Sequence, residues 1–386
     1  MKIGIVGGAL QGMEAVFLSS KAGFETLVID RKQTAPALSL SDSYEIADAV
    51  KEPERIEKIL SDCDIVIPAC EEIDALESLV KVTDKIERPF LFDIGSYRIS
   101  CSKERSNQIM DSVGVPLPKP WPECGFPVIV KPSSQSGSIG VSAVNDETEM
   151  AEALKVVNGL HDIPIVQEFV SGKSVSIEVI GNGSTARSYV TTEVVLDSNY
   201  DCKMVVCEPG ILSKEEDEQF AKIGRDVAES IKLKALMDVE AIRTKNGLRV
   251  LEIDSRIPSQ TPAAVWAATD INLVQELAFS ALEKETGVKN RGECSTYEHF
   301  VVEYGSLITC GEKNFGHVEE PRIEERFFGA DEAITDYMPG KEVWRATVIN
   351  SGRTSNDVLE KRKRFILNVM QECDIDEFVD RSPRMI

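Results

Sequence analysis

The sequence predicts an α/β chain of two or three domains, and three stretches of it carry that expectation. Met1 to Asp30, MKIGIVGGALQGMEAVFLSSKAGFETLVID, reads as strand, glycine turn, helix and second strand. Val128 to Val141, VIVKPSSQSGSIGV, reads as a short strand, a lysine and a Ser/Gly loop. Ala235 to Pro262, ALMDVEAIRTKNGLRVLEIDSRIPSQTP, reads as a hairpin rich in acids. A chain of 386 residues exceeds one ordinary domain. Its 42% hydrophobic and 28% charged residues are those of a soluble globular protein.

A net charge of −22 argues against nucleic acid or an anionic membrane as a partner. It is compatible with cationic substrates, and a solvated acidic surface explains it equally well. The nine cysteines are scattered without a Cys-x-x-Cys pair and there are only three histidines, so a zinc site is not expected. Reduced thiols, the absence of a leader-like h-region and the lack of an 18-residue apolar run point to the cytoplasm.

Taken in order, Ile3 to Val6 form a buried strand, and Gly7, Gly8 and Gly12 form the turn. Met13, Val16 and Phe17 fall at helical spacing, and Thr26 to Ile29 lead to Asp30. An acid at that position can bind ribose hydroxyls, which makes Asp30, with Gln11 in the turn, a candidate nucleotide contact. The glycines read G-G-x-x-x-G rather than G-x-G-x-x-G, so a turn that serves only the fold is the competing explanation. A short strand region is expected over Ser43–Val50, a helix over Glu54–Leu60, and a buried strand over Asp64–Pro68 with Glu71 and Glu72 past its end. Either glutamate suits an ammonium group, or simply the first turn of a helix. A further strand over Pro89–Asp93 closes this part near Gly95.

A helix from Ser102 to Val113 carries Lys103 in its first turn, where a cation opposes the helix dipole and an anion such as phosphate would hold it. Prolines 116, 118, 120 and 122 form a linker. Lys131 and the loop Ser133–Gly140 then offer a lysine, hydroxyls and closely approachable backbone N–H groups, which make a seat for nucleotide phosphates or a plain surface loop. A helix over Asp146–Asn158 follows, then strands over Pro164–Val170 and Ser174–Ile180.

In the hairpin, Lys245-Asn246-Gly247 is the turn. Asp238, Glu240 and Ile242 share one face of the first strand, and Glu252 and Asp254 share one face of the second. A slightly unequal turn brings Glu240 opposite Glu252 and Asp254. Three acids interleaved with Val239, Val250, Leu251 and Ile253 repel one another unless a cation neutralises them, and Mg²⁺ shared with phosphate oxygens suits that place. Arg256 can pair a substrate carboxylate or a developing phosphate charge. Beyond it, a helix is expected over Asn272–Glu285, strands over Phe300–Tyr304 and Val343–Ile349, and a last helix over Ser355–Cys373.

Lys103, Lys131 with its loop, Gln167-Glu168-Phe169-Val170 and Glu240…Glu252-x-Asp254-x-Arg256 together resemble the ATP-grasp carboxylate–amine ligases, in order and in spacing. More narrowly, GGALQGMEA, Tyr200-Asp-Cys-Lys203 and VLEIDSRIPSQTP resemble the ligases that join 3-methylornithine to lysine in pyrrolysine biosynthesis. The resemblance implies two α+β subdomains gripping ATP over residues 97–290, with a lid over about 116–172. A Rossmann-like domain over 1–96 would precede them, and residues 291–386 would complete the large subdomain. It further implies that Lys103 and Lys131 contact ATP phosphates, that Ser136-Gly137-Ser138 close over them, and that the backbone from Gln167 to Val170 holds adenine. Ser174 would stand at the ribose, and Glu240, Glu252 and Asp254 would carry Mg²⁺. Ser174 and Asp254 depart from the Glu and Asn that many relatives have there; the extra acid would tighten the metal or raise a neighbour's pKa.

The implied reaction is amide formation through an acyl phosphate, with 3-methyl-D-ornithine as acid and the ε-amine of L-lysine as nucleophile. It needs positioned cations rather than a protein nucleophile, and Lys203 and Arg256 are the further candidates. Both substrates carry ammonium groups. Glu72, Ser176, Glu178 and Asp201 are the candidates to meet them, with Gln11, Ser259 and Gln260 as hydrogen-bond partners. A homodimer is compatible with the resemblance. The competing functions are another ATP-grasp ligase (a dipeptide ligase or a purine-type carboxylase), a non-catalytic nucleotide-binding regulator, and a Rossmann dehydrogenase.

Overall fold

The structure, a computed structural model, describes residues 1–135, 137, 139–284, 287 and 290–383. The chain forms two compact units, each built from separated stretches: Met1–Ile94, Val194–Ile211 and Ile257–Ile386 in the first, Gly95–Glu193 and Leu212–Arg256 in the second.

The first unit opens with a parallel sheet of Ser43–Ile46, Glu25–Asp30, Lys2–Val6 and Ile65–Pro68, in that spatial order, as a doubly wound half-domain requires. Gly7 has φ +113, and a Cβ there would stand 2.2 Å from the Ala69 carbonyl oxygen. The glycine turn is therefore demanded by backbone packing against the end of the neighbouring strand. The strand expected over Pro89–Asp93 is only a single bridge between Val66 and Phe90. Val66 donates to the Pro89 carbonyl and accepts from the Leu91 N–H, and Pro89, without an N–H of its own, cannot extend the ladder.

The rest of this unit is an antiparallel sheet in the order Cys202–Cys207, Cys294–Glu303, Trp344–Gly352, Glu332–Thr335, Arg322–Glu325. The helix Ser355–Glu372, capped by a Thr354–Asp357 box, covers it. Phe300, Phe327, Trp344 and Phe365 fill the space between them.

The second unit holds two sheets. Ser142–Val144, Val128–Pro132 and Pro164–Glu168 make a three-stranded one, packed through Val128, Val130 and Val144 onto Ala153 and Val157 of the helix Glu147–Gly159. In the other, Gly247–Asp254, Leu236–Thr244 and Lys173–Gly181 lie side by side, antiparallel throughout. The Asp146 carboxylate caps the first helix, and a Ser213–Glu216 box caps the helix Lys214–Ser230.

Candidate active site

The acidic hairpin folds in the expected register. Glu240 lies opposite Glu252 and Asp238 opposite Asp254, with an irregularity at Glu240/Ala241 that absorbs the unequal turn. On the other flank Glu240 lies opposite Ser176, and Asp238 opposite Glu178. Two cross-strand rows result, Ser176–Glu240–Glu252 and Glu178–Asp238–Asp254, whose neighbouring side chains stand about 5 Å apart at Cβ.

Cations meet both rows. Lys103 bonds the Glu252 carboxylate at 2.9 Å and the Gln135 carbonyl at 2.9 Å, so its place in a first helical turn is explained by an acid across the unit. Lys131 is 6% exposed, and its ammonium donates to the Leu251 carbonyl at 3.2 Å. Arg256 pairs with Asp254 at 3.1 Å.

These contacts set the protonation preferences. Burial would raise the Glu252 carboxyl, but Lys103 and Lys131 outweigh it and hold it below the usual range. Glu240 is pushed up to about 8, first by withdrawal from water and then by Glu252 and Asp254. Asp238 is raised well above its ordinary value by burial, Asp254 and Glu240. Burial lowers the Lys131 ammonium, opposed by Glu252 and assisted by Lys103. For Lys103 burial is outweighed by Glu252, and its pKa is raised.

The loop after Lys131 starts from a fixed base. Ser133 accepts the backbone N–H of Lys103 through its carbonyl and that of Glu104 through its hydroxyl, while Ser134 is bound to Asp162. Gly137 is a turn residue; Ser136 and Ser138 lie outside the described residues. In the hinge, Gln167 is buried, the Glu168 N–H goes to the Lys119 carbonyl and the Phe169 N–H to that of Pro127. Ser174, half-buried, begins the strand that carries Ser176 and Glu178.

Asp238 is the residue the sequence reading left out of the site. It is 5% exposed, and its Oδ1 has no hydrogen-bond partner among the described residues. Its position on the face of Glu240 was the available signal; its pairing with Glu178, sixty residues away, was not.

The remaining candidates lie in the first unit. Gln11 donates from Nε2 to Glu71 at 2.8 Å. Ser259 and Gln260 both donate to Oε2 of Glu312, at 2.6 and 3.0 Å, and Glu312 had no signal in the sequence. Asp201 accepts the Lys313 N–H at 3.1 Å, and burial pushes its carboxyl up to about 6.

Three candidates have partners of their own. Asp30 spends one carboxylate oxygen on the Gly8 N–H and the other on the Lys32 N–H, bracing the glycine turn rather than offering itself to a ribose. Glu72 is gripped at the surface by both terminal nitrogens of Arg31, so Glu71 beside it takes its place next to Gln11. Lys203, 3% exposed, bonds Asp380, the Arg381 carbonyl and the Ser382 hydroxyl, and so pins the C-terminal segment instead of facing a reaction. Lys203→Met is expected to lower unfolding stability by about 2 kcal/mol, the scale of a hydrogen-bonded charge lost from a partly exposed partner. The ATP KM should not change; equilibrium unfolding alongside steady-state kinetics checks both.

Among the described residues no three His, Cys, Asp or Glu side chains form a cage able to hold a metal alone. Glu240, Glu252 and Asp254 fit Mg²⁺ in the other manner, in which one or two carboxylates share the ion with nucleotide phosphates. The hard oxygen donors and the cost of three acids on one face agree with that ion and not with zinc.

Comparison with known proteins places this geometry. The model of the ATP-grasp domain matches residues 101–260, and that of the PylC-like N-terminal domain matches residues 3–96. An N5-carboxyaminoimidazole ribonucleotide synthetase in its ADP complex shares the fold with a TM-score of 0.72 at 16% identity, over 96% of this chain and 97% of that one. A biotin carboxylase from Campylobacter jejuni does so with a TM-score of 0.72 at 13% identity, over 95% and 91%. Fold and site thus define an ATP-grasp enzyme.

Curated relatives narrow the class. A 3-methyl-D-ornithine–L-lysine ligase of Methanosarcina acetivorans is 36% identical over 93% of this chain and 97% of its own length. That of Methanosarcina barkeri is 37% identical over 83% and 87%. The chain belongs to the family of these ligases.

Proposed function

We propose that this chain is an ATP- and Mg²⁺-dependent ligase that joins the carboxylate of 3-methyl-D-ornithine to the ε-amine of L-lysine. The reading rests on one observation above all: Glu252 held ionised by Lys103 and Lys131, directly across the hairpin from Glu240. Lys103, Lys131 and the loop at Gly137 take the triphosphate, the backbone of Gln167–Val170 takes adenine, and Ser174 takes ribose. Glu240, Glu252 and Asp254 hold Mg²⁺, which when bound neutralises charge on the transferring phosphoryl group. Arg256 orients the carboxylate that attacks the γ-phosphorus and holds the acyl phosphate while the amine displaces phosphate.

Recognition of two diamino acids requires oxygen acceptors. The pair Glu178–Asp238, with the Ser176 hydroxyl buried and without a hydrogen-bond partner among the described residues, suits the ammonium of the acid substrate. Gln11, Asp201, Ser259 and Gln260 suit the amine donor. The reaction belongs in the cytoplasm; no helix among the described residues is long and apolar enough to cross a membrane. A homodimer is the proposed assembly.

Mass spectrometry of the product from ATP, Mg²⁺ and the two amino acids tests this. The amide of 3-methyl-D-ornithine with the ε-amine of lysine, with stoichiometric ADP, is expected. ATP consumed with bicarbonate and aminoimidazole ribonucleotide instead would assign the chain to the carboxylases, and no ATP consumed with any acid and amine would end the reading.

A further inference from the structure

Gln260 is 4% exposed, and its Oε1 is buried without a hydrogen-bond partner among the described residues. Its amide nitrogen donates to Glu312 Oε2 at 3.0 Å, with a longer 3.5 Å contact to the Cys202 carbonyl. The amide nitrogen, which can only donate, thus faces the Glu312 carboxylate, and the amide oxygen, which can only accept, faces away from it. Ser259 gives its one hydroxyl proton to the same carboxylate oxygen at 2.6 Å, which leaves only lone pairs on Oγ. Glu312 therefore takes the Ser259 proton and one N–H of Gln260, the Cys202 carbonyl lies on the amide's other side, and both side chains are left as acceptors.

A second buried amide, on the neighbouring helix, is in the same condition. Glu14 accepts the Ala263 N–H at 2.7 Å, and one turn on, Phe17 meets the Trp266 ring edge-on at 5.5 Å. The helices Leu10–Lys21 and Thr261–Thr269 thus run side by side with a constant offset. Gln11, in the first turn of Leu10–Lys21, and Gln260, the residue that precedes Thr261–Thr269, therefore lie at corresponding ends of the two helices. Gln11 also donates from Nε2 to a glutamate, Glu71, and its Oε1 is buried without a hydrogen-bond partner among the described residues. Buried acceptors left in this way cost free energy unless an N–H group meets them.

We propose that Glu312 is a positioning residue that sets hydrogen-bond polarity: by taking the protons of Ser259 and Gln260 it makes them, with Gln11, acceptors for the α-ammonium group of the amine-donating amino acid. Glu312 itself orients these groups and leaves the reacting atoms to others. The inference rests on the proposed function, in which Ser259 and Gln260 serve that substrate.

The test compares Glu312→Gln, Ser259→Ala and Gln260→Ala with the parent enzyme, using lysine and 6-aminohexanoate, which keeps the reacting amine and lacks the α-ammonium. Glu312→Gln should raise the lysine KM about tenfold, leave kcat within about threefold and the ATP KM unchanged, and shrink the preference for lysine over 6-aminohexanoate by about the same tenfold. Glu312→Asp, which keeps the carboxylate, should recover part of that preference. If Ser259→Ala and Gln260→Ala leave the lysine KM unchanged, the substrate reading of this loop fails. If they raise it while Glu312→Gln matches the parent enzyme, the role given to Glu312 fails alone. Should Glu312→Gln not fold, Glu312→Asp and the analogue ratio still decide.

Discussion

Lys131→Met is expected to lower kcat/KM for ATP by about 10²–10³-fold, roughly 3–4 kcal/mol of lost charge stabilisation. Lys131 is 6% exposed and fixed by one carbonyl, so its ammonium is held in place before the reaction and needs no reorganisation when charge develops on the phosphoryl oxygens. Burial alone works against that charge; Glu252 offsets part of the cost. Methionine matches the length and fills the same space, and Lys103 remains on Glu252, so the fold should survive. The measurement is ADP release at varied ATP with a thermal melt beside it. A variant that melts like the parent and turns over within threefold of it would remove Lys131 from the phosphate site.

The part of this site that could be read from sequence is the part made of local spacing. The hairpin register followed from strict alternation around an Asn-Gly turn, and the observed pairing Glu240 to Glu252 is the expected one. The caps Ser102 and Asp146 likewise announce their helices within four residues. What the chain hides is contact between distant positions. Lys203 reads in sequence as a candidate cation for the reaction, and its partners lie 177 or more residues downstream. Glu312 gains meaning only beside Ser259 and Gln260.

Among the helices outside the expected set, two differ in how legible they are. Thr261–Thr269 is nearly all buried, so it has no amphipathic period to read. Lys214–Ser230 shows a plain period and a capping box, which are local signals. The division into units is hidden for the same reason as Lys203: each is assembled from stretches that long insertions separate.

Glu252→Gln is expected to lower turnover by about 10³-fold at saturating ATP, because it removes a metal carboxylate and the counter-charge of Lys103 together. The pH dependence separates this from a fault in folding. Glu240 has a folded-state pKa of about 8 against an ordinary 4.5, so its proton favours the folded chain. The stability it contributes is complete below about pH 4.5 and is lost as pH rises through about 8. Without metal and nucleotide, the melting temperature should therefore fall between about pH 6 and 8, and Glu240→Gln should flatten that fall. Metal affinity must run the other way, since the cation competes with the proton. The apparent Mg²⁺ constant of the parent enzyme should tighten by up to about tenfold per pH unit until about pH 8. Asp254→Asn removes one of the charges that raise Glu240, so the same curve should level off at a lower pH. Activity titrated with Mg²⁺ from pH 6 to 9 measures both curves. A flat parent curve would show that Glu240 meets no metal, leaving Glu252 and Asp254 to hold the ion without it.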